Sequence, residues 1–186
     1  MLDILQVMPK ESDFLLTSYQ YDLPESQIAQ CPVQPPESAK LMVFDRGNNS
    51  VDHRIFTDLP GILQSGDTLF FNDSRVLPAR IVRDDFLITR PSGVTRERSA
   101  ELLYLRSHDE THFESMVFPG DYFPVGTVVA LGKYRFRVDA ITYEGRTFEL
   151  LDGENIMNFL MEYGRLPLPP YIEYDDEKAP MYQTVF

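Results

Sequence analysis

Cysteine is nearly missing from this chain. Cys31 stands alone among 186 residues, so no disulfide can form within it, as expected of a protein kept in a reducing compartment. No His–Asp or His–Asn pattern accompanies Cys31 to make it a nucleophile. Long apolar runs are absent too, which excludes a membrane-spanning helix, and Met1 to Lys10 lacks the basic start and long apolar centre of a signal peptide. A soluble, cytoplasmic protein is the expectation. Basic residues are scarce: 17 Lys and Arg face 29 Asp and Glu, a formal net charge of -12. Binding a polyphosphate draws on clustered Lys and Arg, so this balance disfavours a polynucleotide partner for the chain alone, though a local basic stripe can coexist with an acidic remainder. Metal-binding spacing is missing as well. His108-Asp109-Glu110-Thr111-His112 places two His four apart, but Glu does not follow the first His and the segment lies between strand-like runs, so no metal is expected. No internal repeat is visible.

What is present is a glycine-punctuated series of short strands. Leu41 to Asp45 and Val51 to Phe56 flank a polar loop and read as a hairpin. Thr57 or Asp58 can cap a brief helix through Leu63. Asp67 to Phe71 and Val76 to Val82 read as two further strands, the second confined by Pro78 to an edge or a crossover. Asp84 to Arg98, polar and interrupted by Pro91-Ser92-Gly93, reads as a long mobile hairpin loop. Ala100 to Arg106, His112 to Phe118, Thr127 to Leu131, Tyr134 to Tyr143 and Arg146 to Leu151 follow as strands at the spacing of a small antiparallel barrel. Glu154 to Tyr163 carries a helical apolar stripe that ends at Gly164, a C-terminal cap. The expected class is α+β: a mixed α/β domain in two pieces, 1–79 and 152–186, interrupted by an inserted antiparallel β-barrel domain at 80–151. Asp175-Asp176-Glu177-Lys178 reads as a solvated turn.

Polar groups concentrate in Phe71-Asn72-Asp73-Ser74-Arg75-Val76-Leu77-Pro78-Ala79-Arg80, at the join between two strand-like runs. Asn72, Asp73 and Ser74 bond their own backbone readily, so a capped connection and a recognition or catalytic segment both fit. Arg165 to Ile172 contains three prolines that hold it extended, with Arg165 and Tyr171 projecting; such a strap lines a pocket or crosses a surface. His53, within the first hairpin, suits a structural hydrogen bond or a catalytic role.

The 71–80 segment resembles the F-N-D-T-R-V-I-P-A-R signature of the S-adenosylmethionine:tRNA ribosyltransferase-isomerases of queuosine biosynthesis. Further blocks fall in that family's order: Tyr21-Asp22-Leu23-Pro24-Glu25 with Ile28-Ala29-Gln30, His53 to Pro60, Gly164 to Ile172, and Tyr182-Gln183-Thr184-Val185-Phe186. The resemblance runs from about Thr17 to the last residue and covers about half of the family's length. A P-T-A-G-L-H-F block and the rest of the main domain follow in the family, so a truncated or divergent member, inactive alone, is the expectation. The resemblance implies a mixed α/β domain interrupted by a barrel, S-adenosylmethionine as co-substrate, no metal, and the tRNA anticodon loop as partner. It implies transfer of the ribosyl part of S-adenosylmethionine to a 7-aminomethyl-7-deazaguanine, giving epoxyqueuosine. Asp73 is the candidate acid–base residue; Asn72, Arg75, Arg80, Arg165 and Tyr171 are candidates for cofactor or substrate contact. The chain departs from the family at Pro36 to Leu41, at Phe118-Pro119-Gly120-Asp121-Tyr122 and at Glu173, each time losing positive charge, which argues for altered or relaxed RNA binding. A noncatalytic module of the same fold and an S-adenosylmethionine-using enzyme acting on a small substrate are the alternatives. Expected protein partners are a second copy or a separate C-terminal polypeptide.

Overall fold

A computed structural model describes residues 10–177 and 179–183. Lys178 of the acidic turn, the Thr184-Val185-Phe186 end of the last matching block and the segment before Lys10 lie outside the described residues.

Strands β1 (Lys40–Asp45) and β2 (Ser50–Ile55) form an antiparallel hairpin in which Met42 faces His53 and Phe44 faces Val51. Both strands are largely exposed. A 3₁₀ helix, Phe56–Gly61, follows where the sequence suggests a brief helix, with the Asp58 carboxylate accepting from the Ile55 amide at 3.2 Å.

The centre is a closed barrel of β3 (Arg80–Thr89), β4 (Thr95–Ser107), β5 (His112–Phe118), β6 (Val128–Leu131), β7 (Tyr134–Ile141) and β8 (Arg146–Asp152), in the order β3-β4-β5-β8-β7-β6. Every neighbouring pair is antiparallel, and β3 closes the ring on β6 through Leu87 facing Ala130 and Ile88 facing Val129. Alternation, shifted in β3 by a bulge between Arg83 and Phe86, sets which side chains go inside: Ile81, Phe86 and Ile88 of β3, Phe113 of β5, Phe136 and Val138 of β7 and Phe148 of β8 are buried. Phe113 stacks on Phe148 at 5.2 Å between ring centroids and meets Phe136 edge-on at 5.2 Å. Helix α1 (Ile156–Tyr163) is capped by Asn155, whose side chain accepts from the Asn158 amide at 2.8 Å. Its Ile156, Phe159 and Leu160 join the barrel core, with Phe159 4.7 Å from Phe136. The class is α+β with a closed antiparallel barrel.

Three local expectations are corrected. Asp84 to Arg98 is no loop: it is most of the β3–β4 hairpin, turning only at residues 90–94, where the Arg90 amide donates to the Val94 carbonyl at 2.9 Å and Gly93 has φ 83°. On β3 the buried Phe86 and Ile88 alternate with Asp85, Leu87 and Thr89, the two-residue period of a strand with one face inside. Asp67 to Phe71 forms no strand, because no other strand among the described residues lies alongside it; Phe70 is left 93% exposed. Val76 to Val82 joins the sheet only from Arg80, beyond Pro78.

Candidate functional site

Stretches far apart in the chain meet where β3 begins. The Arg80 amide donates to the Arg165 carbonyl at 3.1 Å and the Arg165 amide donates back at 2.8 Å, an isolated antiparallel bridge. Prolines 167, 169 and 170 keep the strap after Arg165 from extending that ladder. Gly164 lets it approach. Gly164 does cap α1, its amide donating to the Leu160 carbonyl at 2.8 Å, but in extended backbone (φ -84°, ψ 158°), not in the left-handed region. The need for glycine is steric: a Cβ there would sit 1.8 Å from the Pro78 carbonyl oxygen and 2.4 Å from that of Leu160.

Two glutamines tie the remaining stretches in. Gln30 Nε2 donates to the Tyr171 carbonyl at 2.9 Å, and its Oε1 accepts from the Glu173 amide at 3.0 Å. The Tyr182 hydroxyl donates to the Gln30 carbonyl at 2.5 Å. Gln183 treats Val76 the same way, donating to its carbonyl and accepting from its amide, both at 3.0 Å. Each side-chain amide pairs with main chain as a neighbouring strand would, which serves segments whose polar backbone otherwise lacks a ladder.

The expected site residues distribute as follows. Asn72 closes a local turn, its Oδ1 accepting from the Ser74 amide at 3.0 Å and the Ser74 hydroxyl at 2.5 Å. Asp73 and Arg75 are exposed and make no hydrogen bond or ion pair among the described residues. Arg80 places its guanidinium on Glu101 as a fork, Nε to Oε1 at 2.7 Å and a terminal nitrogen to Oε2 at 3.1 Å, both side chains half-buried. Tyr171 is exposed. Arg165 lies with its guanidinium 4.8 Å from the Tyr174 ring centroid, and its buried Nε has no hydrogen-bond partner among the described residues. Burial first, and then a hydrogen bond to Asp176, push the Tyr174 phenol above its usual range and keep it neutral beneath that cation. The bridge thus brings Arg80 and Arg165 together; among the described residues it does not bring Asp73 or Arg75 into bonding contact with either. His53 is exposed on β2 and makes no hydrogen bond among the described residues.

Gln30 and Gln183 were not among the expected site residues. Both sit inside blocks that match the family, which was the available signal; nothing in the residue type alone marks a glutamine as a backbone clamp.

A second cluster lies on the outer face of the barrel. His112, Asp139 and Glu149 bring ligand atoms within 4.8 Å of one another. Arg137 already occupies the cation position, its Nε donating to Asp139 at 3.1 Å and a terminal nitrogen pairing with Glu149. This is an ion-pair network between β5, β7 and β8.

A family model described as a queuosine biosynthesis protein matches residues 16–186. An S-adenosylmethionine:tRNA ribosyltransferase-isomerase from Symbiobacterium thermophilum is 37% identical over 186 residues, covering 92% of this chain and 49% of its own. One from Heliobacterium modesticaldum is 38% identical over 173 residues, covering 90% and 48%. A crystal structure of an S-adenosylmethionine tRNA ribosyltransferase from Thermotoga maritima matches at 28% identity and a TM-score of 0.34, covering 78% of this chain and 47% of that one. The chain spans about half the length of the curated relatives it matches.

Proposed function

This chain belongs to the queuosine biosynthesis protein family, and on that basis we propose that it forms one wall of an S-adenosylmethionine:tRNA ribosyltransferase-isomerase active site. The reaction moves the ribosyl part of S-adenosylmethionine onto the aminomethyl nitrogen of a 7-deazaguanine in the tRNA anticodon. A base takes a proton from the carbon beside the sulfonium, the bond to adenine breaks, and adenine and methionine leave as epoxyqueuosine forms. Asp73 is assigned the proton, since its carboxylate is exposed and unengaged among the described residues. Arg75 and Arg165 are assigned anionic groups of the substrates; the buried Arg165 Nε, without a hydrogen-bond partner among the described residues, is a group held ready for an acceptor. Arg80, its fork already on Glu101, is assigned to hold the strap's carbonyl and amide in place, and Asn72 to shape the turn that presents Asp73. Tyr171 offers a ring face to a splayed anticodon base.

One observation carries this reading: four of the five blocks that match the family, those holding Gln30, Val76 with Arg80, Arg165 with Tyr171, and Tyr182 with Gln183, are bonded to one another at a single junction. That junction is open. Leu69, Phe70 and Phe71 beside Asn72 are exposed, and a polypeptide equivalent to the relatives' remaining length would cover them and exclude water from the chemistry. The 186-residue chain alone is therefore expected to modify no tRNA. The test is a chimera in which this chain replaces the first half of the Symbiobacterium relative, expressed in a bacterium that lacks the activity. Epoxyqueuosine or its product in digested tRNA is the expected result. A soluble, folded chimera that leaves the 7-aminomethyl base unchanged overturns the proposal.

A further inference from the structure

Cations on this barrel are paired, with one group of exceptions. Arg80 pairs with Glu101, Arg83 with Asp85, Arg106 with Glu114 and Glu144, Arg135 with Asp152, and Arg137 with Asp139 and Glu149. Arg146 spends its donors on the carbonyls of Phe123, Gly145 and Gly120. Such pairing is what a chain of net charge -12 makes easy. Arg90, Arg96 and Arg98 have no carboxylate partner among the described residues, and all three line one cavity of about 270 Å³ together with Ser92 and Tyr122. Arg90 donates to the Asp121 carbonyl at 3.3 Å, and the Arg98 guanidinium lies 5.7 Å from the Tyr122 ring centroid.

The register makes the grouping unusual. Arg96 stands opposite Ile88 and Arg98 opposite Phe86, and residues directly opposite on antiparallel strands share a face. Ile88 and Phe86 are buried in the barrel core, so Arg96 and Arg98 belong to the inward face at the barrel mouth, while Glu97 between them belongs to the outer one. An arginine stem covering apolar surface at the mouth would account for one such residue. It does not account for three guanidinium groups around one cavity, none of them in an ion pair with an acid among the described residues.

We propose that this cavity binds a phosphate of an RNA strand, with Tyr122 as the platform for an adjacent base. This rests on the tRNA-modifying reading above and adds a second contact to it. Guanidinium forks match phosphate oxygens two at a time, and a tyrosine ring stacks on any base. The position favours a polymer. The cavity lies toward the far end of β3 from Arg80, roughly 20–33 Å away along the strand at ~3.3 Å per residue, a span that suits a polymer better than a single small co-substrate touching both.

The test uses the full 186-residue chain, unmodified tRNA and the double variant Arg96→Gln/Arg98→Gln, with affinity measured by fluorescence anisotropy across a salt series. Expected for the variant are a Kd raised roughly tenfold and a log Kd–log salt slope smaller by about 1 per arginine, with unchanged circular dichroism. Thermal stability should be equal or higher, since like charges are removed; a purely structural role would lower it. Equal affinity and slope for variant and parent chains overturns the inference and leaves the catalytic reading standing. Failure of the parent chain to bind tRNA at low salt overturns the inference and removes tRNA as a partner of the isolated chain.

Discussion

At the scale of single residues, one glycine decides whether the strap can reach β3. Gly164 passes between two carbonyl oxygens, and the carbonyl of Pro78 belongs to the segment that carries Asp73. A methyl group there must push backbone aside on at least one side, so Gly164→Ala is expected to cost about 1–3 kcal/mol, as overpacking of a tight interior does. Urea unfolding checks this: the midpoint should fall with the slope unchanged, and a variant within ~0.5 kcal/mol of the parent chain would show that the contact relaxes freely. Sequence reading identified Gly164 as a cap but for a different cause. A glycine that ends a helix suggests positive φ, whereas the close approach of Pro78, 86 positions earlier by subtraction of their numbers, is invisible to local pattern.

At the scale of elements, the barrel was legible and the connections around it were less so. Strands β5 to β8 follow from alternation and glycine punctuation because a closed sheet favours a two-residue period along each strand, interrupted here only by bulges such as those in β7. The β3–β4 hairpin was hidden: its inward positions include Arg96 and Arg98, so the pattern looked polar throughout where it reaches the barrel mouth. The 67–71 run failed in the opposite way, since strand-forming side chains make a strand only beside a partner edge. The glutamine clamps were illegible for a third reason, being contacts between residues more than a hundred positions apart. They give the strap its hold. Replacing Gln30 by Ala removes its bonds to Tyr171 and Glu173 and should loosen the strap by about 1–2 kcal/mol. Hydrogen exchange is the check, with the Glu173 amide exchanging about tenfold faster and the buried β7 amides of Phe136 and Val138 unchanged. Uniform acceleration across β7 would mean that the clamp supports the whole fold.

At the scale of the whole molecule, an acidic chain presents its chemistry at two places, one at each end of β3. The junction of the family blocks carries the proposed proton acceptor, and the arginine cavity at the other end the proposed phosphate contact. No helix among the described residues is long and apolar enough to cross a membrane. The central claim is that the face around Asp73 belongs to an S-adenosylmethionine-consuming active site. Single-turnover release of adenine by the chimera, in the presence of tRNA bearing the 7-aminomethyl base, tests it most directly. Adenine should appear with the parent chimera, and Asp73→Asn should slow its release by roughly 10²–10⁴-fold, the usual share of a positioned base. Adenine released at the parent rate by the Asp73→Asn chimera would contradict the account.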